Sequence, residues 1–292
     1  MKGKIIVFIL LFSTFLIANE IDTSKIKIDL SHCFFINTET NGKIAEWGTY
    51  DWVGKLQYDG EKWVFPAMLG TKYFWVNTET GQKIWGEYDD VENLEFAGSC
   101  YLFKALKKGK FAWINCKTGK PVDKFYDDVC CIQRTTDRWV FQVKEKNMWQ
   151  WVDVKTGKKL WGKYTALGDL IPIKDSKHDF WVFWAQKGDK EYWINTKTGK
   201  PIGKGYDQVC CIDDIADHWV YWAKSKGKSF WVDAITGKPM DEWGKWDDLC
   251  CIQQLKDGRW VFWVKDGTKE FWFNVNDNEK YIDKDCTQKY AD

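Results

Sequence analysis

Histidine, methionine and proline are scarce in this 292-residue chain, with three, four and five copies. The histidines, His32, His178 and His218, are scattered, and no Cys/His spacing of the zinc type occurs, which removes the usual tetrahedral metal motifs. Few prolines and no Pro/Ser-rich stretch mean that no linker divides the chain. Charge of one sign is also lacking: 43 basic residues oppose 42 acidic ones, giving a formal net charge of +1 without a basic block. That balance excludes the electrostatic footprint of a nucleic-acid or acidic-membrane binder. Catalytic signatures are missing as well, including Gly-x-Ser-x-Gly, His-Glu-x-x-His, a phosphate-binding loop and a dinucleotide fingerprint. No cofactor is implied.

Long apolar runs are limited to one. Residues 5–17 are apolar-dominated, follow Lys2 and Lys4, and lead through Ala18 into Asn19-Glu20-Ile21-Asp22, the three-part layout of a secretory signal. Thirteen residues are too few to span a bilayer, which takes about 20. The expectation is a signal peptide over 1–18, a single domain over 19–292, and a periplasmic or secreted product without a membrane span.

What is present in abundance is aromatic residue, 17% of the chain with 21 Trp, and a repeat accounts for much of it. Phe35-Ile36-Asn37, Trp75-Val76-Asn77, Trp113-Ile114-Asn115, Trp151-Val152-Asp153, Trp193-Ile194-Asn195, Trp231-Val232-Asp233 and Trp272-Phe273-Asn274 recur at steps of 40, 38, 38, 42, 38 and 41 residues. Within a unit, runs such as His218-Trp219-Val220-Tyr221-Trp222 and Ser229-Phe230-Trp231-Val232-Asp233 flank a Gly-containing turn, the pattern of a β-hairpin. A second tight turn then starts at Asn or Asp, which can accept backbone N–H groups. It closes at Gly81, Gly119, Gly157, Gly199 or Gly237, where positive φ carries no Cβ penalty. Pro121, Pro201 and Pro239 follow, at a strand beginning or edge where a missing N–H is tolerated. No stretch has the 3.6-residue apolar period of an amphipathic helix. The sequence therefore predicts an all-β repeat of seven units, with turns near 37, 77, 115, 153, 195, 233 and 274. Units of about 40 residues with up to four strands fit a seven-bladed β-propeller-like ring, with an open β-solenoid of stacked hairpins as the alternative.

The stretch Lys108-Gly109-Lys110-Phe111-Ala112-Trp113-Ile114-Asn115-Cys116-Lys117-Thr118-Gly119-Lys120-Pro121-Val122, followed by Tyr126-Asp127-Asp128, resembles a bacterial WG (KWG-like) repeat. The resemblance extends over nearly the whole chain after residue 18 and includes Tyr88-Asp89, Tyr206-Asp207 and the variant Trp246-Asp247. The Trp-Gly pair that names the family is displaced here. It stands after the Thr-Gly turn, at Trp47-Gly48, Trp85-Gly86, Trp161-Gly162 and Trp243-Gly244, so the resemblance is to a divergent relative. It implies a repeat scaffold and little about chemistry.

Three features stand above the repeat. Cys130-Cys131, Cys210-Cys211 and Cys250-Cys251 share one register, 17, 17 and 19 residues after their repeat Trp. On a regular strand each pair sends one thiol to each face. Small buried hydrophobes are one reading, and disulfides are the other, since ten cysteines in an exported chain permit them. The recurring Asp pairs, such as Asp127-Asp128, read as turns that start a strand, with calcium ligation as the alternative. Finally, the aromatic surplus leaves Trp181, Trp184, Trp219, Trp222, Trp260 and Trp263 as candidates for a ligand-binding surface, because partly exposed Trp suits sugar rings and protein hot spots. The functional expectation is a non-enzymatic binding scaffold with a protein partner. A glycan-binding module and an envelope hydrolase are the alternatives, the last resting only on the abundance of acids.

Overall fold

Alternating β-branched and aromatic runs become strands because each side chain of such a run faces the opposite way from the next, so both faces can be buried at once. The computed structural model describes residues 21–29 and 33–281 and contains seven antiparallel sheets, one for each sequence repeat. The signal peptide expected over 1–18, His32 and Cys286 lie outside the described residues. Among the described residues helix is confined to the 3-10 turns Thr23–Lys25, Ala45–Trp47 and Asp241–Trp243. No helix there is long and apolar enough to cross a membrane. The all-β, seven-unit repeat is thus the observed architecture.

The third sheet shows the plan: Asp90–Phe96, Tyr101–Lys107, Lys110–Asn115 and Lys120–Pro121 follow one another in space as in sequence. The two central strands pair over Leu102↔Asn115 to Lys107↔Lys110. Equivalent central hairpins are Trp63–Leu69 with Lys72–Asn77, Asp179–Lys187 with Lys190–Asn195, His218–Ser225 with Lys228–Asp233, and Trp260–Asp266 with Lys269–Asn274. The fourth strand varies most. It has six residues in the second and fourth sheets, Lys83–Tyr88 and Lys159–Tyr164, but two in the third and fifth, and in the sixth it is reduced to isolated bridges at Val232↔Pro239 and Ser229↔Trp246. Pro121, Pro201 and Pro239 each remove a ladder donor where it is short.

Each Asn/Asp turn closes as its residue types require. Asn115 Oδ1 accepts the Lys117 and Thr118 N–H groups at 2.9 and 3.3 Å, Asn195 Oδ1 those of Lys197 and Thr198 at 2.9 and 3.2 Å, and Asp233 Oδ1 those of Ile235 and Thr236 at 2.8 and 2.6 Å. The closing glycine donates to the carbonyl of the same Asn or Asp, at 2.8 Å for Gly237 on Asp233, with φ +72.

The described residues form two compact units, one of those up to 147 with 151–159, the other of 148–150 with those from 160 onward. In the first unit, successive sheets bury alternate residues of the same strand. Phe65, Ala67, Phe74 and Val76 of the second sheet pack with Phe35 and Trp47, whereas Val64 and Trp75 pack with Phe103, Ala105 and Ile114 of the third. Leu102 and Trp113 of that third sheet then join Phe141, Val143 and Val152. The second unit repeats the scheme. Val182 and Trp193 pack with Tyr221, Ala223 and Phe230, and Val220 and Trp231 pack with Phe262, Val264 and Phe273. The repeat Trp therefore fills the space towards the following sheet, and most of the aromatic wealth is architectural.

Candidate functional site

Residues that recur in every unit are spent on the fold. The first Asp of the Tyr-Asp-Asp segment sits where the chain leaves one sheet for the next: Tyr126 and Tyr206 still bridge to Phe111 and Glu191 of the sheet being left. The following Asp127 accepts the turn N–H of Lys146 at 2.8 Å and pairs with Lys110, and Asp207 accepts the Lys226 N–H at 2.8 Å and pairs with Lys190. Asp89 and Asp247 do the same with Lys108 and Lys72, and with Gly267 and Lys228. The lysine in each case, followed by the turn N–H, holds these carboxyls below the ordinary carboxylate range. Their oxygens are stitching hairpins together, and among the described residues no group of three or more His, Cys, Asp or Glu is placed to hold a metal ion.

The six Trp singled out from the sequence are all half-buried. They do not share one face. Trp184 and Trp219 pack against the cluster of the fifth and sixth sheets, Trp222 and Trp260 against that of the sixth and seventh, and Trp263 against Val261 and Trp272. Trp184 Nε1 donates to Glu191 Oε2 at 3.2 Å and Trp219 Nε1 to Asp175 Oδ2 at 3.1 Å. Asp175 also receives His178, whose ring beside it, with the Lys177 backbone N–H next, brings the carboxyl down to about 2.

One of the six lines a cavity. In the second unit Trp260 stands with Asp214, Asp217, Gln254, Gly258 and Asn276 around about 370 Å³. Asn276 Oδ1 accepts the Trp260 backbone N–H at 2.9 Å, which fixes the Trp at the cavity wall, and Gln254 Nε2 donates to the Gly258 carbonyl at 3.2 Å. An aromatic face beside amides and carboxylates offers both apolar area and hydrogen-bonding groups.

A larger cleft, of about 630 Å³, belongs to the first unit. It lies where the bent fourth strand of the second sheet, Lys83–Tyr88, meets the Thr118-Gly119 turn of the third. The bend is at Trp85-Gly86, with φ +62 and +89. Trp85 stacks on Phe103, with ring centroids 5.5 Å apart at 30°. Gly119 comes so close that a Cβ would lie 3.2 Å from Trp85 Cδ1. Burial pushes the Tyr88 hydroxyl up to about 12 and the buried Cys116 thiol further, so both stay neutral. Around this apolar floor stand Lys62, Lys107, Lys117 and Lys120, and no carboxylate lines the cleft. The Lys62 ammonium lies 5.6 Å from the Trp85 ring centroid and 3.0 Å from Asp59 Oδ2, outside the lining. Lys107 lies 5.6 Å from the Tyr88 ring centroid. These residues escaped the sequence reading because Thr-Gly-Lys was assigned only a turn role; the signal that could have pointed to them is the Trp85-Gly86 pair after the Thr-Gly turn.

The cysteine pairs depart from the expected alternation. Cys130 and Cys131 have sulfurs 2.9 Å apart, Cys210 and Cys211 3.3 Å, and Cys250 and Cys251 2.6 Å, so both thiols of a pair meet. The cause is a β-bulge in each strand, marked by register shifts between Val129 and Ile132, Val209 and Ile212, and Cys250 and Gln253. An extra residue there interrupts the period of two. The reading as small buried hydrophobes also fails: Cys130 is half-buried and the other five are exposed.

No family model matches this chain, and no curated protein matches it. Solved structures do superpose on it loosely. The dihydro-heme d1 dehydrogenase NirN in complex with DHE is 10% identical over 85% of this chain, with a TM-score of 0.32, and the match covers 60% of that protein's length. A eukaryotic initiation factor is 12% identical over 85% of this chain and 70% of its own, with a TM-score of 0.36. The Dos1 propeller is 13% identical over 88% of this chain and 73% of its own, with a TM-score of 0.32.

Proposed function

We propose that this chain is an exported, non-enzymatic binding scaffold of the divergent WG-repeat type, and that the cleft of its first unit takes an acidic segment of a protein partner. The observation that carries the reading is the cleft's lining: Lys107, Lys117 and Lys120, with Lys62 already paired to Asp59, over a floor of Trp85, Tyr88, Ile84 and Phe125, with no carboxylate lining the cleft itself. Like charges gathered in one concavity raise the local concentration of an anionic ligand and speed its arrival. The aromatic floor adds apolar area that a simple counter-ion would not use, which favours a peptide over an inorganic anion.

The test is calorimetric titration with a Glu-rich peptide carrying one Phe, at low and at physiological salt. Binding is expected to weaken with salt, because the contacts are exposed charges. The Lys117→Glu/Lys120→Glu variant is expected to lose about tenfold or more in affinity. Equal affinity for variant and wild type would remove this reading.

A second reading, a carbohydrate site, is favoured by the cavity at Trp260. A sugar ring could lie on the indole face and exchange hydrogen bonds with Asp214, Asp217, Gln254 and Asn276. Neutral oligosaccharides should then perturb Trp fluorescence in the wild type and not in Trp260→Ala. An unchanged spectrum at millimolar sugar would dismiss it.

A further inference from the structure

The vicinal cysteines recur at one register in three sheets, and no part of the binding function uses them. Their geometry starts from the repeat Trp. Trp113 Nε1 donates to the Cys130 carbonyl at 3.1 Å, and Trp193 Nε1 to the Cys210 carbonyl at 3.2 Å. Each bond ties the peptide of a bulged pair to the sheet before it. In the seventh sheet the spacing from the repeat Trp grows from 17 to 19 residues, and the bulge slips from the step after Val to the step after Cys250. The tie is then absent: Trp231 Nε1 is buried with no hydrogen-bond partner. Cys251 takes φ +56, a region that residues with a Cβ seldom occupy. Two extra residues have thus cost the Trp its acceptor; Cys250 pairs instead with Trp263 across the hairpin, and the two sulfurs approach most closely of the three pairs.

We propose that Cys250 and Cys251 form a covalent modification site, a vicinal dithiol that closes to a disulfide by exchange with a low-molecular-weight disulfide, and that Cys210-Cys211, tied by Trp193, closes less readily. In the first step one thiolate attacks the small disulfide, forming a mixed disulfide and releasing one small thiol. In the second, the neighbouring Cys sulfur displaces the other small thiol, so that one protein S–S bond forms, one external S–S bond breaks, and the two thiol protons end on the two released thiols. The two-electron oxidation of the protein is matched by reduction of the external disulfide. Burial, then the neighbouring Cys251 thiol, push the Cys250 thiol up to about 12, so exchange at this pair should speed as pH rises.

Adjacent Cα atoms lie about 3.8 Å apart across a trans peptide, closer than the roughly 4.4–6.8 Å of ordinary disulfides. A bond made there must move the intervening peptide, and bonds formed under such constraint are the easily reduced ones. This is why the tie matters: closing Cys210-Cys211 would displace the carbonyl that Trp193 holds, whereas no indole holds Cys250.

The experiment equilibrates the protein in mixtures of oxidised and reduced glutathione, quenches with acid, and reads the Cys250-Cys251 and Cys210-Cys211 peptides by mass spectrometry. The expected result is loss of two hydrogens from the Cys250-Cys251 peptide at a lower oxidised fraction than from Cys210-Cys211. Trp193→Phe should ease closure of Cys210-Cys211 about fivefold, which is what the loss of one ordinary hydrogen bond is worth. Glutathione retained on Cys250 or Cys251 of the wild type, a crosslink from either to another cysteine, or equal closure of both pairs would overturn the proposal. The wild-type comparison stands whether or not the Trp193 variant folds.

Discussion

Replacing Gly237 by Ala tests how the repeat turns are built, because two separate costs meet at that position and only one of them at Gly227. Both glycines have left-handed backbone, φ +72 and +76. Around Gly227 an added Cβ would find nothing within 4 Å, so Gly227→Ala carries only the conformational cost of about 1–2 kcal/mol. At Gly237 the same Cβ would lie 2.2 Å from the Gly203 nitrogen and 2.6 Å from its Cα. Those are backbone atoms of the preceding unit and cannot swing aside as a side chain would. Forcing them apart adds about 1–3 kcal/mol, the scale of overpacking a well-filled interior, for a sum of about 2–5 kcal/mol. In a chain of this size a kcal/mol corresponds to about 2–4 °C in melting temperature, so Gly237→Ala should melt clearly below Gly227→Ala in the same scan. Equal losses would show that the close approach to Gly203 is not part of the folded protein, and no loss in either would refute the left-handed turns themselves.

Other expectations follow from the same packing. Trp75 is fully buried with an unpartnered Nε1, so Trp75→Ala should cost about 3–5 kcal/mol in urea unfolding, while Trp75→Phe, which keeps a ring and removes the orphan N–H, should cost clearly less; similar losses would contradict the packing assigned to it. The carboxyls of Asp89, Asp127, Asp207 and Asp247 are lowered in the folded protein, chiefly by their lysines, and a lowered carboxyl adds stability that is present above the unfolded value near 4 and lost as pH falls through the folded one. Melting temperature should therefore fall on acidification below about pH 4, and Asp207→Asn should fall less steeply over that range; parallel profiles for variant and wild type would argue against the Lys190–Asp207 pairing.

Much of the fold was legible in the residues. The Asn/Asp positions marked seven turns, five of them closed by Gly, and Tyr-Asp marked where the chain passes from sheet to sheet, because both depend on local backbone needs that few residue types meet. The shortness of the fourth strand in the third and fifth sheets could be anticipated from Pro121 and Pro201. What period-two reasoning could not supply was any break in the period. The bulges that bring each vicinal cysteine against its neighbour hide in runs that read as regular strands. The partial exposure of Trp184 and Trp219 was anticipated from the aromatic surplus, but their Nε1 bonds to Glu191 and Asp175 were not, since these depend on how neighbouring segments lie. The lysine cleft is a product of tertiary contact as well. Lys62, Lys107, Lys117 and Lys120 are spread over nearly sixty positions, and the bend at Trp85-Gly86 is what makes the hollow around which they gather.

The central claim, that this scaffold receives an acidic partner segment in its first unit, is tested most directly by lysine acetylation footprinting with and without the Glu-rich, Phe-bearing peptide. The account predicts that Lys107, Lys117 and Lys120 become protected while Lys269 of the seventh sheet reacts as before. Uniform reactivity at saturating peptide, or protection centred away from the cleft, would contradict it.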